Sequence, residues 1–370
     1  MGTMQPVARE THTARAVIAL SLAERVGFEP TKSFGPLHTF QACAFDHSAT
    51  APLDGATSHI AALPQARRLW QHHAMRRSLL PLALLALSLG GAAPPPAAGR
   101  MSPGQIVDAA PAAAWRTVAP ENLLVMELAG GAHVAVELAP DFAPVHVANI
   151  RALARAGWFD GGTIERVQDD YVVQWAGADP KRSLPPGVVA HPPAEYERPF
   201  AGLGFRPLPS RDAYAARVGH ADGWPMASDG RAAWLTHCYA MVGVGRDMPP
   251  DTGDGTELYA VIGQAPRHLD RNIALVGRVV DGIEAMTALP RGTGDLGFYT
   301  DARQRTAIVR ARIAADIPAA ERPRYEAMRS DAPAFAAYLD ARANRRDAFF
   351  VRPAGGVDLC NAPVPVRRQR

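Results

Sequence analysis

The stretch Gly157 to Asp179, GWFDGGTIERVQDDYVVQWAGAD, sets one permanent cation, Arg166, among apolar and aromatic residues. A guanidinium stays charged at any working pH and presents a rigid fork of donors. The chemistry open to it is hydrogen-bond donation from a fixed position; the plainer alternative is a solvated outer-face arginine. Other candidate groups are weaker. His191, His220, His237 and His268 are scattered without the paired spacing of metal ligands. Asp251-Thr252-Gly253 is a single acidic triplet in a proline-rich loop, not between apolar strands, which argues against aspartic-protease chemistry. Gly243-Val244-Gly245 lacks the third glycine and following helix of a dinucleotide loop.

Arg166 is positioned by a hairpin. Thr163 to Val167 reads as one strand and Tyr171 to Trp175 as the next, with Gln168-Asp169-Asp170 between them and Asp160-Gly161-Gly162 turning in. This reading sets Ile164 and Arg166 on opposite faces, and Tyr171 and Val173 opposite Val172 and Gln174. Upstream, Leu123 to Leu128 and His133 to Leu138 are strands joined through Gly130-Gly131. A helix starts at Pro144, with Asp141 just upstream, and places Val147, Ile150, Leu153 and Ala154 on one face; Gly157 ends it. Residues 180–232 are rich in Pro and Gly, with Ala194 to Phe200 a short strand or edge; a connection this long is an insertion or functional. Strands resume at His237 to Gly245, Thr256 to Gly263 and Asn272 to Val280, followed by a helix over Gly282 to Leu289 and a strand over Thr306 to Ile313. Many short strands with two helices predict a mostly β fold closed into a barrel. Past Ile317 the pattern turns helical, over Ala319 to Met328 and Pro333 to Ala343, with Asp331 able to cap the second; Ala348 to Pro353 is a candidate last strand.

The chain has 370 residues, 48% apolar and 20% charged, enough for a sizeable core and unlike a disordered chain. Its formal charge of +3 is too small to suggest a nucleic-acid partner. Residues 1–74 lack sustained periodicity and resemble segments found ahead of unrelated proteins in misread frames; a disordered leader is the alternative. From Met75, Arg76-Arg77 and the apolar run Leu79 to Leu89 read as a signal peptide over 75–98, too short to span a bilayer comfortably. The expectation is a periplasmic or secreted protein with no stable membrane insertion once the signal is removed. Residues 99–121 then form a linker, with one short helix over Ser102 to Trp115 capped by Ser102. Of three cysteines, Cys238 and Cys360 remain after Met75; they either pair in an oxidising compartment or stay separate buried thiols.

The segments VAVELAPDFAPVHVANIRAL and WFDGGTIERVQDDYVVQWAG together resemble the strand-helix-hairpin signature of the cyclophilin family of peptidyl-prolyl cis/trans isomerases. The resemblance covers about residues 122–317, with the insertion at about 180–232 and a C-terminal extension over 318–370. It implies a closed eight-stranded barrel capped by two helices, to which the helical pattern past Ile317 is an addition. It also implies acceleration of X–Pro rotation in proline-containing polypeptide clients, assisting folding without a cofactor or metal. By resemblance Arg166 is catalytic, Gln174 orients it and the substrate backbone, and Tyr171, Val172, Tyr259 and Leu269 form the cup for the proline ring. Tyr171 and Tyr259 replace phenylalanines and Val172 a methionine. Glu257 and Thr256 replace the glutamine and serine of the family's strand, and His268 replaces tryptophan or another aromatic. Ile273 replaces a histidine, and Gly243 an asparagine that binds substrate backbone. These departures keep a second reading open: a non-catalytic barrel of the same fold that binds or chaperones proline-containing segments. A third is a structural envelope protein whose additions bind a partner.

Overall fold

The computed structural model describes residues 101–369; the leader and signal expected over 1–98 lie outside them. Short β-branched and aliphatic runs between turns rich in Gly, Pro and Asp form strands here because they pack well on a half-buried pleated surface. In chain order the elements are α1 (Pro103–Asp108), β1 (Trp115–Thr117), β2 (Leu123–Leu128), β3 (His133–Leu138), α2 (Pro144–Arg155), β4 (Thr163–Val167), β5 (Val172–Ala176), β6 (Arg198–Pro199), β7 (Arg206–Pro207), β8 (Arg217–Ala221), β9 (Trp224–Ser228), β10 (Ala232–Leu235), β11 (Met241–Val244), β12 (Glu257–Val261), β13 (Leu275–Asp281), α3 (Ile283–Thr287), β14 (Thr306–Ile313), β15 (Tyr325–Met328), α4 (Pro333–Ala343) and β16 (Val366–Arg368).

Eight strands close into an antiparallel barrel in the order β11-β12-β5-β4-β14-β2-β3-β13, which leaves no open edge. Leu124, Met126, Val136, Trp175, Leu258 and Ile308 lie in its core, joined by Val147, Ile150, Leu153 and Ala154 of α2. That helix ends in a left-handed Gly157 (φ 62°), and the N–H groups of Gly157 and Trp158 donate to the Ala154 and Leu153 carbonyls. Residues two apart on a regular strand share a face, so alternation alone would keep Ile164 and Arg166 together. A bulge between them, against β5, turns Ile164 into the core and pairs Arg166 with the outward Gln174. Tyr171, expected opposite Val172, instead packs beside Val172 on the outer wall, because it precedes the regular part of β5.

The insertion forms a second sheet, β6-β10-β9-β8-β7, which runs to Leu235, past residue 232. Within Ala194 to Phe200 only Arg198–Pro199 is strand, at that sheet's edge. A third sheet, β1-β15-β16, joins the two ends of the described chain. The helical expectation for Ala319 to Met328 fails there. Pro323 interrupts it, and Tyr325–Met328 finds strand partners in β1 and β16. Ala348 to Pro353 is turn and bend, and the last strand is β16. Asp331 does not cap α4; its carboxylate pairs with Arg329 at 2.8 Å, and Ala332 precedes the helix without a side-chain cap. α1 is shorter than expected but does carry a capping box between Ser102 and Gln105. Cys238 and Cys360 form a disulfide between the start of the β11 segment and the C-terminal extension.

Candidate active site

β4, β5, β12 and β11 are neighbours on the barrel wall, and their register sets Arg166, Gln174, Tyr259 and Gly243 in one lateral row. Arg166 is held from three directions. Its Nη1 donates to Gln174 Oε1 at 3.1 Å, its Nε to the Leu296 carbonyl at 2.6 Å, and its Nη2 to the side-chain oxygen of Gln168. All three acceptors are neutral. The guanidinium carbon lies 5.5 Å from the Tyr171 ring centre and 5.4 Å from that of Phe298. Burial pulls its pKa down, against the opposing influence of Tyr171 and Glu257, yet a guanidinium remains charged in any solution a protein meets.

Beside the row, Val172, Tyr259 and Val261 form an apolar cluster with Tyr171 and Ile273 packed on it. Val172 is only 3% exposed and Tyr259 5%. His268 and Leu269 lie on the turn Arg267–Leu269; the His268 ring is parallel to Tyr171, with centres 6.5 Å apart, while Leu269 is half-buried outside the cluster. Glu257 stands two residues before Tyr259, across from Ala176. Burial raises its carboxyl pKa, with Glu165 and Asp247 adding to the rise and Gln174 and Arg166 opposing it. The structure therefore gathers Arg166, Gln174, Tyr171, Val172, Tyr259 and Glu257 on one wall, with His268 stacked against Tyr171 and Leu269 next to it on the same turn.

A chain of polar groups behind the cluster was not legible in the sequence. Tyr259 Oη donates to His237 Nε2 at 2.8 Å, and His237 Nδ1 donates to Asp270 Oδ1 at 2.9 Å. Asp270 also accepts from Arg267 Nε at 2.5 Å, and Arg267 Nη1 donates to Asp212 at 3.0 Å. An ionised aspartate only accepts, so the His237 proton sits on Nδ1 and leaves Nε2 for the tyrosine. Burial lowers the His237 pKa, which favours this neutral form. The chain gives the Tyr259 hydroxyl a partner that a phenylalanine would not need. It also accounts for Gly243: a Cβ there would overlap the Tyr259 hydroxyl. Tyrosine and glycine are cross-strand partners, so the missing side chain at 243 makes room for the hydroxyl at 259. That pairing was the available signal.

The molecule is thus a closed antiparallel barrel that carries a fixed guanidinium beside an outward apolar cluster. The chain belongs to the cyclophilin-type peptidyl-prolyl cis-trans isomerase family, whose model matches residues 123–313. A Brucella suis biovar 1 (strain 1330) protein named "Probable peptidyl-prolyl cis-trans isomerase" is 25% identical over 174 residues, 47% of this chain and 74% of its own length. A Brucella abortus (strain 2308) protein of the same name matches to the same extent, 25% over 174 residues. Among solved structures, cyclophilin AquaCyp293 from Hirschia baltica is similar with a TM-score of 0.56 and 25% identity, covering 69% of this chain and 93% of its own. That likeness reaches beyond the segment matched by the family model.

Proposed function

We propose that this chain accelerates cis/trans rotation about X–Pro bonds in proline-containing polypeptide clients, with Arg166 as the catalytic group. The observation that carries the reading is Arg166 hydrogen-bonded by Gln174 beside the Tyr171, Val172 and Tyr259 cluster. The rotation barrier, about 18–20 kcal/mol, comes from amide resonance, and uncatalysed X–Pro exchange takes on the order of tens to hundreds of seconds. A guanidinium N–H directed at the prolyl nitrogen favours its pyramidal form, in which resonance is broken and the bond turns freely. The stabilisation belongs to the twisted state and not to the planar ones, as catalysis requires. Gln174 fixes the donor and meets the substrate backbone, while Tyr171, Val172, Tyr259 and Leu269 receive the proline ring, with His268 at the rim and Glu257 at the far end. No proton is transferred. The test is refolding of a protein whose slow phase is proline isomerisation: catalytic amounts should speed that phase, and an unchanged phase would count against the reading.

Export to the periplasm or beyond is part of the proposal. The Arg76-Arg77 and Leu79 to Leu89 segment supports it, as does the Cys238–Cys360 disulfide, a bond that persists in oxidising compartments. Retention of the full chain in the cytoplasm would remove the export claim, and export of a chain lacking residues 75–98 would remove the signal role of that segment. The binding-module reading has one observation in its favour. Gly243 carries no side chain to meet substrate backbone, and Tyr259 closes over it. Tight holding of unfolded clients, unaffected by Arg166→Ala and without turnover, would favour that reading.

A further inference from the structure

We infer that the cleft between the inserted sheet and the Arg267–Leu269 turn is a second subsite, which takes an aromatic side chain of the client about two residues from its proline. The inference rests on the peptide-handling site proposed above. The cleft has a volume of about 320 Å³, and Tyr214, Asp229 and Trp234 from the insertion face Arg267, His268 and Arg271 across it. That size is at the low end for ligand sites, which run roughly 300–1,000 Å³, and suits one large side chain. Its charges are already paired: Arg267 with Asp212 at 3.0 Å and Asp270 at 2.5 Å, Arg271 with Glu197 at 2.6 Å and Asp229 at 3.9 Å. A charged side chain would therefore gain little. Stacking surfaces are abundant. The guanidinium carbon of Arg267 lies 5.2 Å from the Tyr214 ring centre and that of Arg271 lies 4.7 Å from Trp234. Tyr214 is 57% exposed, an aromatic surface free to receive a ring.

The cleft adjoins the proposed proline cup through His268. His268 belongs to the cleft and stacks on Tyr171 of the cup, with ring centres 6.5 Å apart. An extended chain advances about 3.3–3.6 Å per residue, so sites that share one wall side chain are reached by residues about two apart on a bound peptide. The insertion thus supplies one wall of a recognition surface that the barrel alone lacks.

The test uses the full chain and proline peptides that differ only in Phe or Ala two residues from proline, on each side in turn. Binding by fluorescence anisotropy and kcat/KM are both measured. The Phe peptide should be preferred by roughly 2- to 12-fold in one placement, the range of an aromatic pair. Tyr214→Ala should bring the ratio near one, Tyr214→Phe should keep it, and Ala216→Trp, which fills the cleft from an exposed position, should abolish it. Equal treatment of both peptides by the wild type in both placements would overturn the inference, as would a preference that survives both Tyr214→Ala and Ala216→Trp. Absence of turnover with the binding preference intact would instead count against the catalytic reading alone.

Discussion

Arg166 retains an undiminished charge because its hydrogen-bond acceptors, Gln174, Gln168 and the Leu296 carbonyl, are all neutral. Glu257 is the carboxylate that could have compromised it, and its own burial works against ionisation. The sign of the resulting pH effect is fixed. A carboxyl whose pKa rises on folding stabilises the fold below the unfolded value, about 4.3, and that contribution is lost as pH rises through the folded value. Glu257→Gln should therefore raise Tm above the wild type at pH 8, with the gap closing as pH falls toward 4; melting curves across that range check it. The placing of Arg166, Gln174, Tyr171 and Val172 side by side was legible because they sit in one short hairpin. His237 was not, since its bond to Tyr259 spans 22 residues of sequence and two strands.

At the scale of elements, the bulge in β4 and the pairing of β11 with β12 decide which side chains share the wall. Gly243 and Tyr259 face each other across that pair, so their energetics should be coupled. Gly243→Ala should cost about 1–3 kcal/mol through overpacking. The same substitution in a Tyr259→Leu background should cost distinctly less, and a double-mutant cycle by chemical denaturation reads the coupling. Tyr259→Phe should cost about 1–3 kcal/mol by leaving His237 Nε2 buried without its donor. Strands β2, β3, β4 and β14 were legible from end to end. The inserted sheet was not, because β9 is buried at all five positions and β8 at four of five, which erases the period-two signal. β15 was missed for another reason: its partners lie at opposite ends of the described chain.

At the scale of the whole molecule, an ionic cluster centred on the buried Glu137 ties the barrel to both added sheets. Glu137 of β3 pairs with Arg278 of β13 at 2.7 Å and with Arg116 of β1 at 2.6 Å, while Arg278 Nη1 donates to the Gly223 carbonyl of the inserted sheet at 2.8 Å. The disulfide closes 122 residues of sequence between Cys238, next to His237, and Cys360. Replacing both cysteines by serine should lower stability by about 2–5 kcal/mol, measured by denaturant unfolding under non-reducing conditions. A loss confined to the C-terminal extension, with the barrel melting unchanged, would mean that the bond fastens only that end. The composition left this pairing open, since two cysteines far apart in sequence carry no geometry.

Prolyl isomerisation of a short Ala-Pro peptide by the full chain and its Arg166→Ala variant shows whether Arg166 catalyses rotation from the barrel wall. Rapid catalysis by the wild type is expected, with a loss of about 10²–10³-fold in kcat/KM in the variant, the usual consequence of removing one transition-state donor, and an unchanged melting profile. Equal activity in the two proteins, or a well-folded wild type inert toward several X–Pro peptides, would contradict it.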